Sequence, residues 1–211
     1  MLKFVMNEKV LLMIILSYIL GSINPATMIT YIISRRDIRE LGDGNPGTTN
    51  VFTNVNKFAG AFVFGFDALK GFVPQFLSYS LGLVGILPPL IGSFAVLGHD
   101  FPVFHKFKGG TGIATIIGGL FFFAPRLIVL TIIFVTPFVF LFSRSGINWH
   151  FRLSPFESGE AIGFLIVIFF LLFSEDVDAK IYMLFSTSFV VMKRINVVLS
   201  LLKIKCSHSE I

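Results

Sequence analysis

The sequence predicts an all-α protein, a polytopic integral membrane bundle of about seven transmembrane helices in a single domain over residues 1–211. Three observations predict it. Hydrophobic residues make up 55% of the chain and charged residues only 14%, against about a quarter in an ordinary soluble domain. The mean hydropathy is +0.85. The apolar residues gather in runs near the length of about 20 residues that a crossing needs, and the 27 Phe suit lipid-facing and helix-packing surfaces.

The first run, residues 10–34, is interrupted by Gly21-Ser22 and Asn24-Pro25. It carries no cleavage-like site, so it reads as a first span rather than a removed signal peptide. The second, residues 58–81, holds Asp67 and Lys70. The third is 83–97, and the fourth, 112–124, is too short to cross straight unless protein shields its ends. Residues 126–142, 161–173 and 181–199 complete the seven. Five full crossings with two partial helices fit the same pattern. So many spans leave no room for a separate soluble domain.

The net charge of +5 does not call for nucleic acid, because basic residues of membrane proteins collect in cytoplasmic loops. With the N-terminus outside and the C-terminus inside, 12 of the 17 Lys and Arg fall inside, and Lys70 lies within a span. The same orientation puts the loop 35–57, the loop 99–111 and the tail on the cytoplasmic side. The single cysteine, Cys206, excludes internal disulfides and a cysteine metal site.

Two loops are suited to anions. Leu41-Gly42-Asp43-Gly44-Asn45-Pro46-Gly47-Thr48-Thr49-Asn50 can be neither a span nor a good helix. Its glycines let backbone N–H groups turn toward an oxyanion, and its Asn and Thr add neutral hydrogen-bond partners. A tight polar turn between helices is the plain alternative. The second loop, Gly98-His99 to Gly112, ends in Gly109-Gly110-Thr111-Gly112 and opens the fourth helix. Such a junction offers free N–H groups and a positive dipole end, with Lys106 and Lys108 beside it. Lysines that merely follow the cytoplasmic charge bias are an equal alternative. Asp67 and Lys70, three residues apart, share a helix face and can pair, either as a structural ion pair near the interface or to present the lysine to an anionic substrate. Gly71 then permits another backbone to come close. His99 and His105 lack metal-ligand spacing, and no nucleophile triad or paired carboxylates stand out.

Together, three regions resemble the bacterial acyl-phosphate:glycerol-3-phosphate acyltransferase family. They are Gly21-Ser22-Ile23 with Asp37-Ile38-Arg39, Gly42, Gly44-Asn45-Pro46-Gly47 and Thr49-Asn50-Val51; then Asp67 and Lys70-Gly71; then Gly98-His99, Phe101-Pro102-Val103-Phe104, Lys106-Phe107-Lys108-Gly109-Gly110, Gly112 and Ala114-Thr115. The resemblance implies a seven-helix enzyme of the bacterial inner membrane. It would move a fatty acyl group from acyl phosphate to the 1-hydroxyl of glycerol 3-phosphate, giving lysophosphatidic acid. No metal or other cofactor and no covalent acyl-enzyme are implied. The implied partners are the two substrates, membrane lipid and an enzyme that makes acyl phosphate.

On this resemblance Asn45, Lys70, Lys108, Lys193 and Asn196 are the expected catalytic residues. Gly42, Gly44, Gly47, Thr49, Asn50, Gly109, Gly110 and Gly112 are expected to bind substrate phosphate, with Ser22, Asp67 and His99 lining the site. The chain departs from the family pattern at four places. Asp43 replaces serine, Thr53 replaces arginine, Thr111 replaces lysine and Lys193 replaces histidine. If all four line one phosphate site, it is two charge units less positive than the pattern. A weakened or silent relative that binds lipid or a partner through the same groove, or an enzyme using another acyl acceptor, is therefore the rival reading. A transporter ranks behind both, since intramembrane charge is confined to Asp67 and Lys70.

Overall fold

The computed structural model describes residues 8–133, 165–169, 171 and 174–207, with side chains as far as Lys193. The described residues form helices and loops and contain no strand. The helices are α1 (Glu8–Ser22), α2 (Pro25–Ser34), α3 (Thr48–Asn54), α4 (Lys57–Ser80), α5 (Leu87–Asp100), α6 (Ile113–Phe123), α7 (125–133), α8 (165–169) and α9 (Val177–Ser207).

The first predicted span is two helices. Asn24 stops α1 and starts α2 through its Oδ1, which accepts from Thr27 N at 3.0 Å. Pro25 takes the first helical position, where a missing N–H costs nothing. Glu8–Ser34 taken together is long and apolar enough to cross a membrane. The second span is α4, capped by Asn56 Oδ1, which accepts from Phe58 N and Ala59 N. Pro74 inside it has no N–H, so the Lys70 carbonyl lacks its helical donor. Gln75 Nε2 donates to the next carbonyl, that of Gly71, at 2.9 Å. The third span becomes α5, opened by Pro88-Pro89. The fourth, α6, has 11 residues and rises about 16 Å, roughly half of a hydrocarbon core of about 30 Å. That length is too short to cross straight unless protein shields its ends. The fifth and sixth spans lie largely outside the described residues, and the seventh falls within α9.

Two pairs of the apolar helices meet backbone to backbone. A Cβ on Gly21 would lie 2.2 Å from the Ala95 carbonyl oxygen, and one on Gly98 would lie 2.2 Å from that of Tyr18, so α1 and α5 touch along small residues. A Cβ on Gly71 or on Gly118 would lie 1.9 Å from the Thr115 or the Ala68 carbonyl oxygen, so α4 and α6 do the same. Small-residue contacts of this kind are how helices associate where lipid supplies no hydrophobic drive. The largest buried cluster joins α5 to α9 through Val96, Ile116, Leu120, Ile128, Tyr182 and Met183. Leu12, Ile32, Phe58, Phe62, Leu69 and Leu184 point outward, each more than half exposed. Such an apolar exterior is the surface that a bilayer covers.

Candidate active site

The break between α1 and α2 is where the two loops meet. Ser22 Oγ accepts from Val103 N at 3.3 Å, and Tyr18 OH donates to the Phe101 carbonyl at 2.8 Å, so the end of α1 holds the second loop. Asn24 Nδ2 donates to the Pro46 carbonyl at 3.1 Å, so the start of α2 holds the first. Thr27 Oγ1 lies 3.4 Å from His105 Nε2. The threonine hydroxyl already donates to the Asn24 carbonyl, which leaves the His105 Nε2–H to donate to it. Burial, with the charge of Arg39, pushes the His105 pKa below its ordinary value, which keeps the ring neutral at pH 7.

The first loop is braced from within. Asn50 is buried, and its Nδ2 faces the carbonyls of Ile38, Leu41 and Asn45 at 3.2, 2.9 and 3.0 Å. Its Oδ1 accepts from Asn54 Nδ2 at 2.8 Å. Gly42 has φ 54° and no room for a side chain, since a Cβ would lie 2.3 Å from both of those amides. Gly44 N donates to the Leu41 carbonyl and Gly47 N to that of Asn45, both at 2.9 Å. The expected phosphate-binding donors of Asn50, Gly44 and Gly47 are thus engaged by the loop itself. Gly42 and Asp43 lie at the exposed edge of the loop, with Asn45 and, in the first turn of α3, Thr49 half-buried behind them. Asp43 is exposed, and its Oδ1 accepts from Asn45 N at 3.0 Å. Thr53 Oγ1 folds back onto the Thr49 carbonyl.

The second loop makes a compact turn. Lys106 and Phe107 both take left-handed backbone, φ 53° and 60°, a conformation that costs energy for non-glycine residues. The turn is closed by Phe107 N to the Pro102 carbonyl and Lys108 N to that of His105, both at 3.0 Å. Gly109 N and Gly110 N donate to the Asp100 and His99 carbonyls at 3.2 Å. The N–H groups of Gly109 and Gly110, expected to face an anion, thus pair with the end of α5. Gly112, φ 71°, turns the chain into α6, whose first-turn N–H groups have no partner within the helix. Lys106 and Lys108 are exposed beside this end.

Behind the loops lies a buried charged group. Asp67, Lys70, His99 and Asp100 are each at most 4% exposed. Lys70 Nζ lies 2.7 Å from Asp67 Oδ1, 3.2 Å from His99 Nδ1, and 3.2 and 2.7 Å from the Gly21 and Ile23 carbonyl oxygens. The pairing of Asp67 with Lys70 is as expected from their spacing. The expected presentation of Lys70 to a substrate is not what the geometry shows, because the ammonium is enclosed by protein atoms. Lys193, on α9, donates to the carbonyls of Gly109, at 2.6 Å, and Gly110, so α9 joins the second loop. Asn196 lies where the side chains are outside the described residues.

Sequence reasoning missed Asn24, Asp100 and Tyr18. Asn24 carries a signal, an Asn-Pro pair inside an apolar run, which is the start of a helix. Asp100 stands beside Gly112, whose Cβ would lie 2.8 Å from its Oδ1, and only the tertiary fold brings them together. Among the described residues no three His, Cys, Asp or Glu side chains gather as metal ligands.

The fold and the loops define an all-helical membrane protein with a polar, glycine-built site at one end of its bundle. The family model for glycerol-3-phosphate acyltransferase matches residues 11–203, and the chain belongs to that family. A glycerol-3-phosphate acyltransferase of Bacillus velezensis is 40% identical over 182 residues, 86% of this chain and 88% of the relative. One of Enterococcus faecalis is 41% identical over 128 residues, which span 60% of this chain and 59% of the relative's length. The crystal structure of PlsY, an integral membrane glycerol 3-phosphate acyltransferase, in its glycerol 3-phosphate form superposes with a TM-score of 0.73. It is 28% identical and covers 92% of each chain. A lysophosphatidic acid form of the same protein aligns with a TM-score of 0.70 and 26% identity, over 92% of each chain.

Proposed function

We propose that this chain moves a fatty acyl group from acyl phosphate to the 1-hydroxyl of glycerol 3-phosphate, giving lysophosphatidic acid and phosphate. The observation that carries the reading is the meeting of both glycine loops at the Ser22–Asn24 break, with the α6 N-terminus and two exposed lysines beside it. The two PlsY forms support it, since they hold glycerol 3-phosphate and lysophosphatidic acid.

In this reaction the hydroxyl oxygen attacks the acyl carbonyl carbon, the bond from that carbon to the phosphate oxygen breaks, and the hydroxyl proton passes to phosphate. The chain's task is to position two phosphates and neutralise their charge. Lys108 and the first turn of α6, from Gly112 onward, hold one phosphate. Asn45, Thr49 and Asn196 orient oxygens through neutral hydrogen bonds. Gly42, Gly44, Gly47 and Asn50 shape the first loop. Lys193 fixes Gly109 and Gly110 and brings its charge to the edge of the site. Ser22 keeps the break against the second loop. The acyl phosphate enters from the bilayer and comes from an enzyme that phosphorylates or transfers acyl chains.

Losing a charge-assisted hydrogen bond costs about 1.5–3 kcal/mol. Lys108→Ala is thus expected to slow turnover roughly 10- to 150-fold. Asp43→Ser is expected not to lower the rate, because Asp43 is exposed and only closes a turn. Initial rates on protein in lipid check both, and full activity in Lys108→Ala would remove that lysine from the site.

The site faces the cytoplasm, with the N-terminus outside and the C-terminus inside, as the Lys and Arg distribution indicates. The lone Cys206 reports on this directly. A membrane-impermeant maleimide is expected to label it only after the cell membrane is permeabilised. Labelling of intact cells would reverse the orientation.

A further inference from the structure

An ionised lysine inside a membrane bundle is costly unless its charge is met. Lys70 is 1% exposed, and four protein atoms surround its Nζ within 3.2 Å. An ammonium has three N–H donors and no acceptor, so none is left for a substrate. Two of the four atoms are the Gly21 and Ile23 carbonyl oxygens, which belong to the end of α1. A helix end leaves such carbonyls without donors of its own. Lys70 therefore caps α1 from the neighbouring helix, and Asp67 one turn earlier holds the ammonium in place.

The fourth atom is His99 Nδ1. Asp67 Oδ1 also lies 3.6 Å from Nδ1, and in the tautomer in which Nδ1 accepts from Lys70 the ring proton sits on Nε2. That nitrogen abuts the second loop, since a Cβ on Gly110 would lie 2.3 Å from it. The same loop is also held by Lys193. One ammonium thus touches the break directly and the second loop through a single imidazole.

We propose that Lys70 is a positioning residue that sets the distance between the α1–α2 break and the second loop, rather than a cation that contacts substrate. The inference deepens the acyltransferase reading and rests on it for its kinetic test, but its structural test does not. Thr27→Cys and His105→Cys, with Cys206→Ser, place two thiols across that gap, where the native side chains lie 3.4 Å apart. A short bis-methanethiosulfonate linker then reports the spacing without any substrate.

Lys70→Met is expected to slow cross-linking about tenfold in that background. Without the added cysteines it is expected to lower kcat at least about tenfold, with KM for glycerol 3-phosphate held within about threefold. Cross-linking at the parental rate, or a rise in KM with kcat intact, would overturn the proposal. If Lys70→Met does not give monodisperse protein, Lys70→Met/Asp67→Leu, which removes the Asp67 carboxylate together with its partner, is measured the same way and judged by the same outcomes. A parental protein without turnover would count against the acyltransferase reading alone, and the cross-linking result would still decide the role of Lys70.

Discussion

Asp67→Ala is expected to lower the stability of the folded protein by about 3–5 kcal/mol, the usual cost of leaving one partner of a buried ion pair without the other. Asp67 and Lys70 are each 1% exposed and 2.7 Å apart. Removing the carboxylate takes away the anion 2.7 Å from the Lys70 ammonium in a medium that solvates charge poorly. Asp67→Leu/Lys70→Met removes both charges and is expected to cost less than Asp67→Ala alone. Thermal unfolding in detergent micelles measures this. A midpoint for Asp67→Ala equal to that of the parent would show that the pair does not hold the bundle.

Gly71→Val is expected to separate α4 from α6 and to abolish activity. A Cβ at position 71 would stand 1.9 Å from the Thr115 carbonyl oxygen and 2.9 Å from Gly119 N. Both obstacles are backbone, so no side-chain rotation relieves them. Overpacking of this kind costs about 1–3 kcal/mol even where neighbours can shift. Here the shift would also displace Thr115, in the first turn of α6, and with it the donors proposed for phosphate. Gly65→Ala is the matched control. Gly65 lies on the same helix with nothing within 4 Å of its Cβ position. Alanine there is expected to be neutral or to stabilise by about 0.5–1 kcal/mol. Equal melting points for Gly71→Val and Gly65→Ala would contradict the close approach.

Composition and run length made the class of fold legible, because a bilayer imposes length and apolarity on each crossing. The α1–α2 break was half legible. Asn24-Pro25 marks a helix start, yet the apolar run continues through it and reads as one span. Asp67 and Lys70 were legible as a pair because three residues is a helical spacing, and Gly71 as a point of close approach. Their surroundings were not, because the Gly21 and Ile23 carbonyls lie nearly 50 residues away in the chain. The glycine loops show the same limit. Glycine announces an unusual backbone but not where its N–H points. At Gly109 and Gly110 it points back at α5, and at Gly44 and Gly47 into the loop itself. Lys193 stands where the family pattern has histidine, and its partners, two carbonyls more than 80 residues earlier, could be found only in the fold.

The four departures from the pattern also look different in place. Asp43 closes an exposed turn, and Thr53 bonds its own helix. Lys193, half-buried, is bonded to carbonyls. Only Thr111, directly before Gly112, stands at the α6 N-terminus proposed for phosphate.

The most direct measurement is product formation by the purified chain in lipid, given a long-chain acyl phosphate and labelled glycerol 3-phosphate. The account predicts lysophosphatidic acid and phosphate in equal amounts, with turnover reduced in Lys108→Ala. No product, with the Bacillus velezensis relative active under the same conditions, would contradict it.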